Sequence, residues 1–290
     1  MLPYIGGKST ISKSLIVPNI PNDIEVYMEI FGGMMWVFFN MDIDKYPNLN
    51  KIIYNDFNPL NVNLFRCVKN HKKLLEACES IPVQQKGIYP TPKNCEDFFN
   101  SAQKELYDPN FLLGDDPNYD AAAKHALILA SVFSGANPEK SKFIDLKGKY
   151  HSKFTSFMNK LNNPKWQKMF ENITFFENLD FEKAIEKYDS KTTYIYADPP
   201  YFKVGEGSYY SNHNFNRNDH LRLANCLKSM SGKFSLSYYD FPQLSEWFPK
   251  DDYVWKSKSF AKAAAAKAGK EQTQGIELLI MNYGKDKDLA

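Results

Sequence analysis

Glu25-Val26-Tyr27-Met28-Glu29, running into Ile30-Phe31-Gly32-Gly33, is the stretch on which the fold turns. The run is apolar, too short for a helix and closed by two glycines, so it reads as a short strand entering a glycine turn. Residues 34–40 are apolar enough for a buried helix, which completes a strand-turn-helix unit. Lys51-Ile52-Ile53-Tyr54 followed by Asn55-Asp56 repeats the grammar, and Asn58 with Pro59 is a good cap and first-turn pair for a helix from Leu60. A second strand-helix unit therefore follows the first.

From residue 66 to 170 the grammar changes to helical segments at 95–106, 120–133 and 152–161, separated by loops containing Pro, Asn and Gly. This reads as an inserted helical domain, 66–170, within a domain made of 1–65 and 171–290. Strands return at 173–176, 194–197, 233–237 and 277–282, with helices at 181–187 and 219–230 between them. The expected fold class is α/β, with a mostly parallel sheet covered on both faces. Residues 256–275, with Ala263 to Ala266 between lysines, resemble a flexible or partly helical basic loop, either solvated or touching phosphate.

At 290 residues the chain can bury a full core, and a hydrophobic share of 43% is that of a globular protein. A net charge of +2 restricts any nucleic-acid surface to a local patch. Cys67, Cys78, Cys95 and Cys226 form no CxxC pair, and no histidine stands at ligand spacing beside them. No metal site and no disulfide framework are expected. With no signal pattern and no apolar run of membrane-spanning length, a cytoplasmic location is the expectation.

Asp198-Pro199-Pro200-Tyr201, entered from Tyr194-Ile195-Tyr196-Ala197, carries the chemistry. An exocyclic amino group such as adenine N6 is a poor nucleophile, because its lone pair is delocalised into the ring. A carboxylate and a backbone carbonyl accepting its two N–H bonds would return that pair to nitrogen, and two prolines stiffen the turn presenting them. Tyr201 would offer a stacking face to a base rotated out of a duplex. Taken alone, the tetrapeptide fits an ordinary Pro-Pro turn equally well.

Asp56, at the end of the second strand, stands where doubly wound folds place an acid for ribose hydroxyls. The chain lacks GxGxxG, and Tyr4-Ile5-Gly6-Gly7-Lys8-Ser9 fails as a phosphate loop because Leu2 occupies the place of a required glycine. Asp180 follows the strand at 173–176, so three strand ends carry acids; Asp180 also fits the cap of the helix starting at Phe181.

The set Tyr4-x-Gly6-Gly7-Lys8, Glu29-x-Phe31-Gly32-Gly33, Asn55-Asp56-x-Asn58-Pro59, Asp180-Phe181 and Asp198-Pro199-Pro200-Tyr201 resembles, in order and spacing, the Dam-like D12 class of DNA adenine-N6 methyltransferases, in its alpha-group arrangement. The resemblance covers most of the chain outside the helical insert. It implies a Rossmann-like methyltransferase fold that uses S-adenosylmethionine, with the insert as target-recognition domain. By that resemblance Tyr4, Lys8, Glu29, Phe31, Gly32 and Gly33 would enclose the methionine part of the cofactor. Asp56 would bind its ribose, and Asp180 with Phe181 its adenine. Asp198, Pro199, Pro200 and Tyr201 would act on the target base.

Asp219-His220-Leu221 and residues 232–238 resemble the family's later motifs, which shape the base pocket; His220 reads as a helix-start residue rather than a catalyst. In the insert the likeness is loose. Lys140, Lys142, Lys147 and Lys149 are the best basic candidates for DNA contact, set against a solvated charged hairpin.

The leading expectation is a site-specific adenine-N6 methyltransferase acting on double-stranded DNA, with a cognate restriction enzyme as a candidate partner. The alternatives are cytosine-N4 methylation, a non-catalytic DNA-binding regulator on the same scaffold, and RNA as substrate.

Overall fold

The computed structural model describes residues 2, 7–133, 137–201, 215–261 and 274–284. Within these, the strands in chain order are β1 (Val26–Glu29), β2 (Lys51–Asn55), β3 (Phe175–Glu177), β4 (Thr193–Ala197), β5 (Lys233–Tyr238), β6 (Val254–Ala261) and β7 (Gln274–Met281). The helices are α1 (Pro59–Val68), α2 (His71–Glu79), α3 (Lys93–Leu106), α4 (Tyr119–Ser131), α5 (Lys153–Leu161), α6 (Pro164–Asn172), α7 (Phe181–Tyr188), α8 (Arg217–Ser229) and α9 (Leu244–Trp247). Two compact units divide the chain: Met1–Gly7, Gly33–Trp36 and Asp56–Asn178 form the first, and Lys8–Gly32, Val37–Asn55 and Leu179–Ala290 the second.

The second unit holds six of the seven strands, hydrogen-bonded in the order β2-β1-β4-β5-β7-β6. The β2-β1, β1-β4 and β4-β5 pairs are parallel, and β7 runs antiparallel to both β5 and β6. All residues of β1 and β4 are buried, as strands covered on both faces require. The tyrosines of β4 are accommodated there because Tyr194 and Tyr196 hydrogen-bond through their hydroxyls to Ser235 and Ser237 of β5. Below them Met28, Ile53, Ile195, Phe234, Leu236 and Leu279–Ile280 fill the sheet, with Ala184 and Ile185 of α7 and Leu223 and Leu227 of α8 packed in the core.

From β1 the chain moves outward to β2, whereas from β4 it moves to β5 on the opposite side. The carboxyl ends of β1 and β4 thus flank a topological switch point, the place where open α/β sheets bind ligands. Glu29 lies opposite Tyr196 in the parallel register, so the turns after Glu29 and Ala197 emerge side by side.

The first unit is helical apart from β3. Five of its helices begin where the sequence offers an Asn or Ser: the side chains of Asn58, Asn70, Asn118, Ser152 and Asn163 each accept a first-turn amide, whereas α3 starts after Pro92 without a side-chain cap. Leu60, Phe99, Ala102, Leu106, Ala121 and Ile128 form its core. His125 is fully buried and bonded to Asn61, and burial pushes its pKa down to about 3, so it is a neutral core histidine.

Two expectations from the sequence are corrected. Residues 34–40 are buried or half-buried but are not an α-helix: Gly33 and Met35 have φ of 47° and 51°, left-handed values that no right-handed helix contains, and only Phe38–Asn40 forms a short 3-10 turn. The stretch from Lys256 to Ala261 is not a loop but the end of β6, paired antiparallel to β7. Lys256 and Lys258 are exposed on this edge strand, where lysines disfavour edge-to-edge association. Residues 262–273 lie outside the described residues.

Candidate active site

β4 stops at Ala197 because Pro199 and Pro200 have no N–H to continue a ladder, and this leaves Asp198 and Tyr201 just past its carboxyl end. The Asp198 side chain is 18% exposed, and its Oδ1 lies 3.0 Å from the Nζ of Lys8, itself 8% exposed. The same ammonium is 3.5 Å from Oε1 of Glu277, a carboxyl buried on β7. The Tyr201 hydroxyl donates to Glu277, and Lys8 Nζ sits 4.7 Å from the centre of the Tyr201 ring. Tyr239 packs edge-on against that ring at 4.3 Å.

The four groups Lys8, Asp198, Tyr201 and Glu277 are therefore one electrostatic unit. Burial alone would drive Lys8 towards the neutral amine, but Asp198 and Glu277 outweigh it and its pKa is raised. Burial likewise raises both carboxyls, against the opposing pull of Lys8. Two acidic side chains against one ammonium make a site that favours a further positive charge.

The Glu29 carboxyl braces the turn that follows β1. Its Oε1 accepts both the Phe38 amide at 2.8 Å and the Tyr27 hydroxyl at 2.9 Å. Burial pushes its pKa up from 4.5 to about 8, so the folded protein holds a proton that the unfolded chain releases. This contribution to stability is full below pH 4.5 and is lost as pH rises through about 8. Denaturant midpoints measured between about pH 5 and about pH 8 are expected to fall more steeply for the wild type than for Glu29→Gln.

Gly32 donates to the Asn55 carbonyl at 2.7 Å. Asn55 itself clamps two turns, donating to the Ile30 and Leu179 carbonyls and accepting from the Leu179 amide.

Phe31 lies in the turn after β1 and packs 5.8 Å from Phe181, with Phe215 edge-on to Phe31 at 5.7 Å. Asp180 caps α7 by accepting from the Glu182 amide, and both its oxygens are held by Arg222 at 2.9 Å. The Arg222 guanidinium lies 4.3 Å over the Phe181 ring, so one side chain fixes both members of the Asp180-Phe181 pair. His220 is buried beside Phe215 and bonded through Nδ1 to the Tyr238 hydroxyl. Burial lowers its pKa to about 4, which keeps it neutral and fits a structural helix-start residue.

Gly33 and Asp56 belong to the first unit. Asp56 Oδ2 accepts the Gly33 amide and Oδ1 the Asn58 amide, each at 2.7 Å. Burial raises its pKa in spite of both donors.

Lys142, Lys147 and Lys149 are exposed, and Lys140 pairs with Glu139 at 3.1 Å. Their segment contains no strand among the described residues; instead it is tied to residues 84–91. Gln84 bridges Ile144 and Leu146, Thr91 donates to Asp145, and Gly87 donates to the Gly148 carbonyl at 2.8 Å. Tyr4 lies outside the described residues.

Glu277, Arg222, Tyr239 and Asn55 were not assigned roles from the sequence. Glu277 had a signal, as the one acid in the apolar run Ile276-Glu277-Leu278-Leu279-Ile280. Arg222 stands three residues after Asp219 on α8, but its hold on Asp180 and Glu182 arises only where α7 and α8 pack together. Among the described residues no cluster of His, Cys, Asp or Glu could hold a metal ion, and no helix is long and apolar enough to cross a membrane.

The family model of D12 class N6 adenine-specific DNA methyltransferases matches residues 4–261. A type II methyltransferase of Lactococcus lactis subsp. cremoris, M1.LlaDCHI, is 24% identical over 298 aligned residues, covering 96% of this chain and 94% of its own. Two solved structures overlap at low TM-scores: a precorrin-8w decarboxylase of Methanobacterium thermoautotrophicum (0.39, 11% identity, 98% of this chain and 94% of that one) and a precorrin-6y C5,15-methyltransferase of Geobacter metallireducens (0.37, 11% identity, 96% and 86%). Neither bears on the function.

Proposed function

The chain belongs to the D12 class of N6 adenine-specific DNA methyltransferases, and from that membership we propose that it methylates N6 of an adenine rotated out of duplex DNA, with Asp198 as the residue that activates the amino group. The observation that carries this reading is the position of Asp198: a largely buried carboxyl just past β4, at the switch point of the sheet. Asp198 and the Pro199 carbonyl accept the two N–H bonds of the target, which concentrates the nitrogen lone pair away from the ring. Pro199 and Pro200 hold both acceptors still, and Tyr201 offers its ring to the extruded base.

S-adenosylmethionine, when bound, supplies an electrophilic methyl on a positively charged sulfur. The residues present fit such a group, since Asp198 and Glu277 outnumber the Lys8 ammonium. Tyr4, Lys8 and the turn of Phe31, Gly32 and Gly33 are proposed to hold its methionine part, with Glu29 acting by bracing that turn. Asp56 is proposed for the ribose. Phe181 with Phe31 is proposed as an apolar wall for the adenine, with Asp180 contributing through its lock on Arg222.

Residues 1–65 and 171–290 are proposed as the catalytic domain and 66–170 as the target-recognition domain. Lys140, Lys142, Lys147 and Lys149 are its proposed phosphate contacts, and a cognate restriction enzyme is the proposed partner. Reversing charge at Lys147 and Lys149 together is expected to weaken duplex binding roughly tenfold and to lower the salt slope by about 2, with cofactor affinity unchanged. A gel-shift titration at several salt concentrations reads both, and unchanged binding would remove these lysines from the interface.

Tritium from methyl-labelled S-adenosylmethionine is expected in duplex DNA in preference to RNA of the same sequence. Label in RNA alone, or in neither, would refute the proposal.

A further inference from the structure

Glu277 is 2% exposed in the middle of an apolar strand, a placement that costs free energy unless the carboxyl is compensated. Its compensation comes from the Tyr201 hydroxyl and the Lys8 ammonium. Both belong to the site built around Asp198, so this buried acid serves the site rather than the strand that carries it.

We propose that Glu277 is a positioning residue for methyl transfer, pinning Tyr201 through its hydroxyl and receiving the Lys8 ammonium from Asp198 when the target amino group docks on that carboxylate. The proposal rests on the reading of Asp198 given above. Lys8 Nζ is 3.0 Å from Asp198 and 3.5 Å from Glu277, on a side chain with freely rotating terminal bonds. While Lys8 sits on Asp198, its charge draws away the electron density that the carboxylate must direct at the amino group. A second carboxylate within reach lets the ammonium move without being left unpaired in a buried site.

Glu277 also anchors the far end of the Tyr201 side chain. The hydroxyl is held by the carboxyl and the ring packs against Tyr239, which together keep Tyr201 from swinging out of the site. In the transfer itself the sulfur–carbon bond breaks with its electron pair remaining on sulfur, the nitrogen lone pair forms the new nitrogen–carbon bond, and a proton then leaves nitrogen for solvent. Glu277 takes no part in those bonds; it acts through Lys8 and Tyr201.

The test uses the full chain and Glu277→Gln, which keeps an oxygen for the Tyr201 hydroxyl and removes the charge. Single-turnover transfer to duplex DNA is expected to fall roughly tenfold or more, with the KM for DNA little changed. The same substitution on a Lys8→Met background is expected to cost far less, because the partner through which Glu277 acts is gone. Glu277→Asp, with the charge retained on a shorter stem, replaces the amide variant if that one does not fold, and an intermediate rate is expected. A single-turnover rate for Glu277→Gln within about twofold of wild type, or an equal fractional loss with and without Lys8, would overturn the proposal. A wild-type chain that transfers no methyl to DNA would instead overturn the reading beneath it, and this proposal with it.

Discussion

Asp198→Ala is expected to slow methyl transfer by about two to three orders of magnitude, the usual loss when a preorganised polar group facing the reacting atom is removed. The fold should survive, because Lys8 keeps Glu277 as a partner and is not left as an unpaired buried charge. Cofactor affinity should fall less than the rate, since Asp198 shares the attraction of the sulfonium with Glu277, whereas the acceptor function on the base is its own. Single-turnover assays paired with calorimetric titration of S-adenosylmethionine separate the two quantities. Asp198→Asn sharpens the result: the amide keeps size and one acceptor but loses the charge, so a rate close to that of the alanine variant would assign the effect to charge. Near wild-type transfer by Asp198→Ala would remove the residue from the chemistry altogether.

Gly32→Ala is expected to damage both stability and cofactor binding. A Cβ at this position would lie 2.4 Å from Tyr54 Cε2, 2.8 Å from Tyr54 Cδ2 and 2.9 Å from the Asn55 carbonyl oxygen. Tyr54 is fully buried in β2 and cannot swing aside, so the turn must move. Overpacking of this kind costs about 1–3 kcal/mol. The displaced turn carries Phe31 and Gly33, so weaker binding of S-adenosylmethionine should accompany the lower melting temperature. Gly114→Ala is the control, because nothing lies within 4 Å of a Cβ added there and neither property should change.

The elements that were legible in the sequence are those governed by local chemistry. Asn58-Pro59 announces α1, and the glycine turn after Glu29 and the two prolines after Asp198 end their strands where expected. The apolar content of residues 34–40 suggests a helix, whereas Met35 adopts a left-handed conformation imposed by its surroundings and not by its own preference. β6 is not legible because its lysine and alanine composition masks a strand that is held in place by long-range pairing with β7. The candidate site divides along the same line. Its motif residues were named from order and spacing, but the partnership of Lys8 with Asp198 joins residues 190 positions apart, and that of Tyr201 with Glu277 joins residues 76 apart. Neither pairing leaves a trace in local sequence. Arg222 shows the same dependence, since its hold on Asp180 exists only through the packing of α7 on α8.

Activation of adenine N6 in DNA by Asp198 is read out by the identity of the product nucleoside. Purified protein, S-adenosylmethionine and unmethylated duplex DNA are incubated together, the DNA is digested, and the nucleosides are identified by mass spectrometry, with Asp198→Ala run in parallel. N6-methyladenine is expected from the wild type and almost none from the variant. N4-methylcytosine, no methylated nucleoside despite bound cofactor, or equal product from both proteins would contradict this expectation.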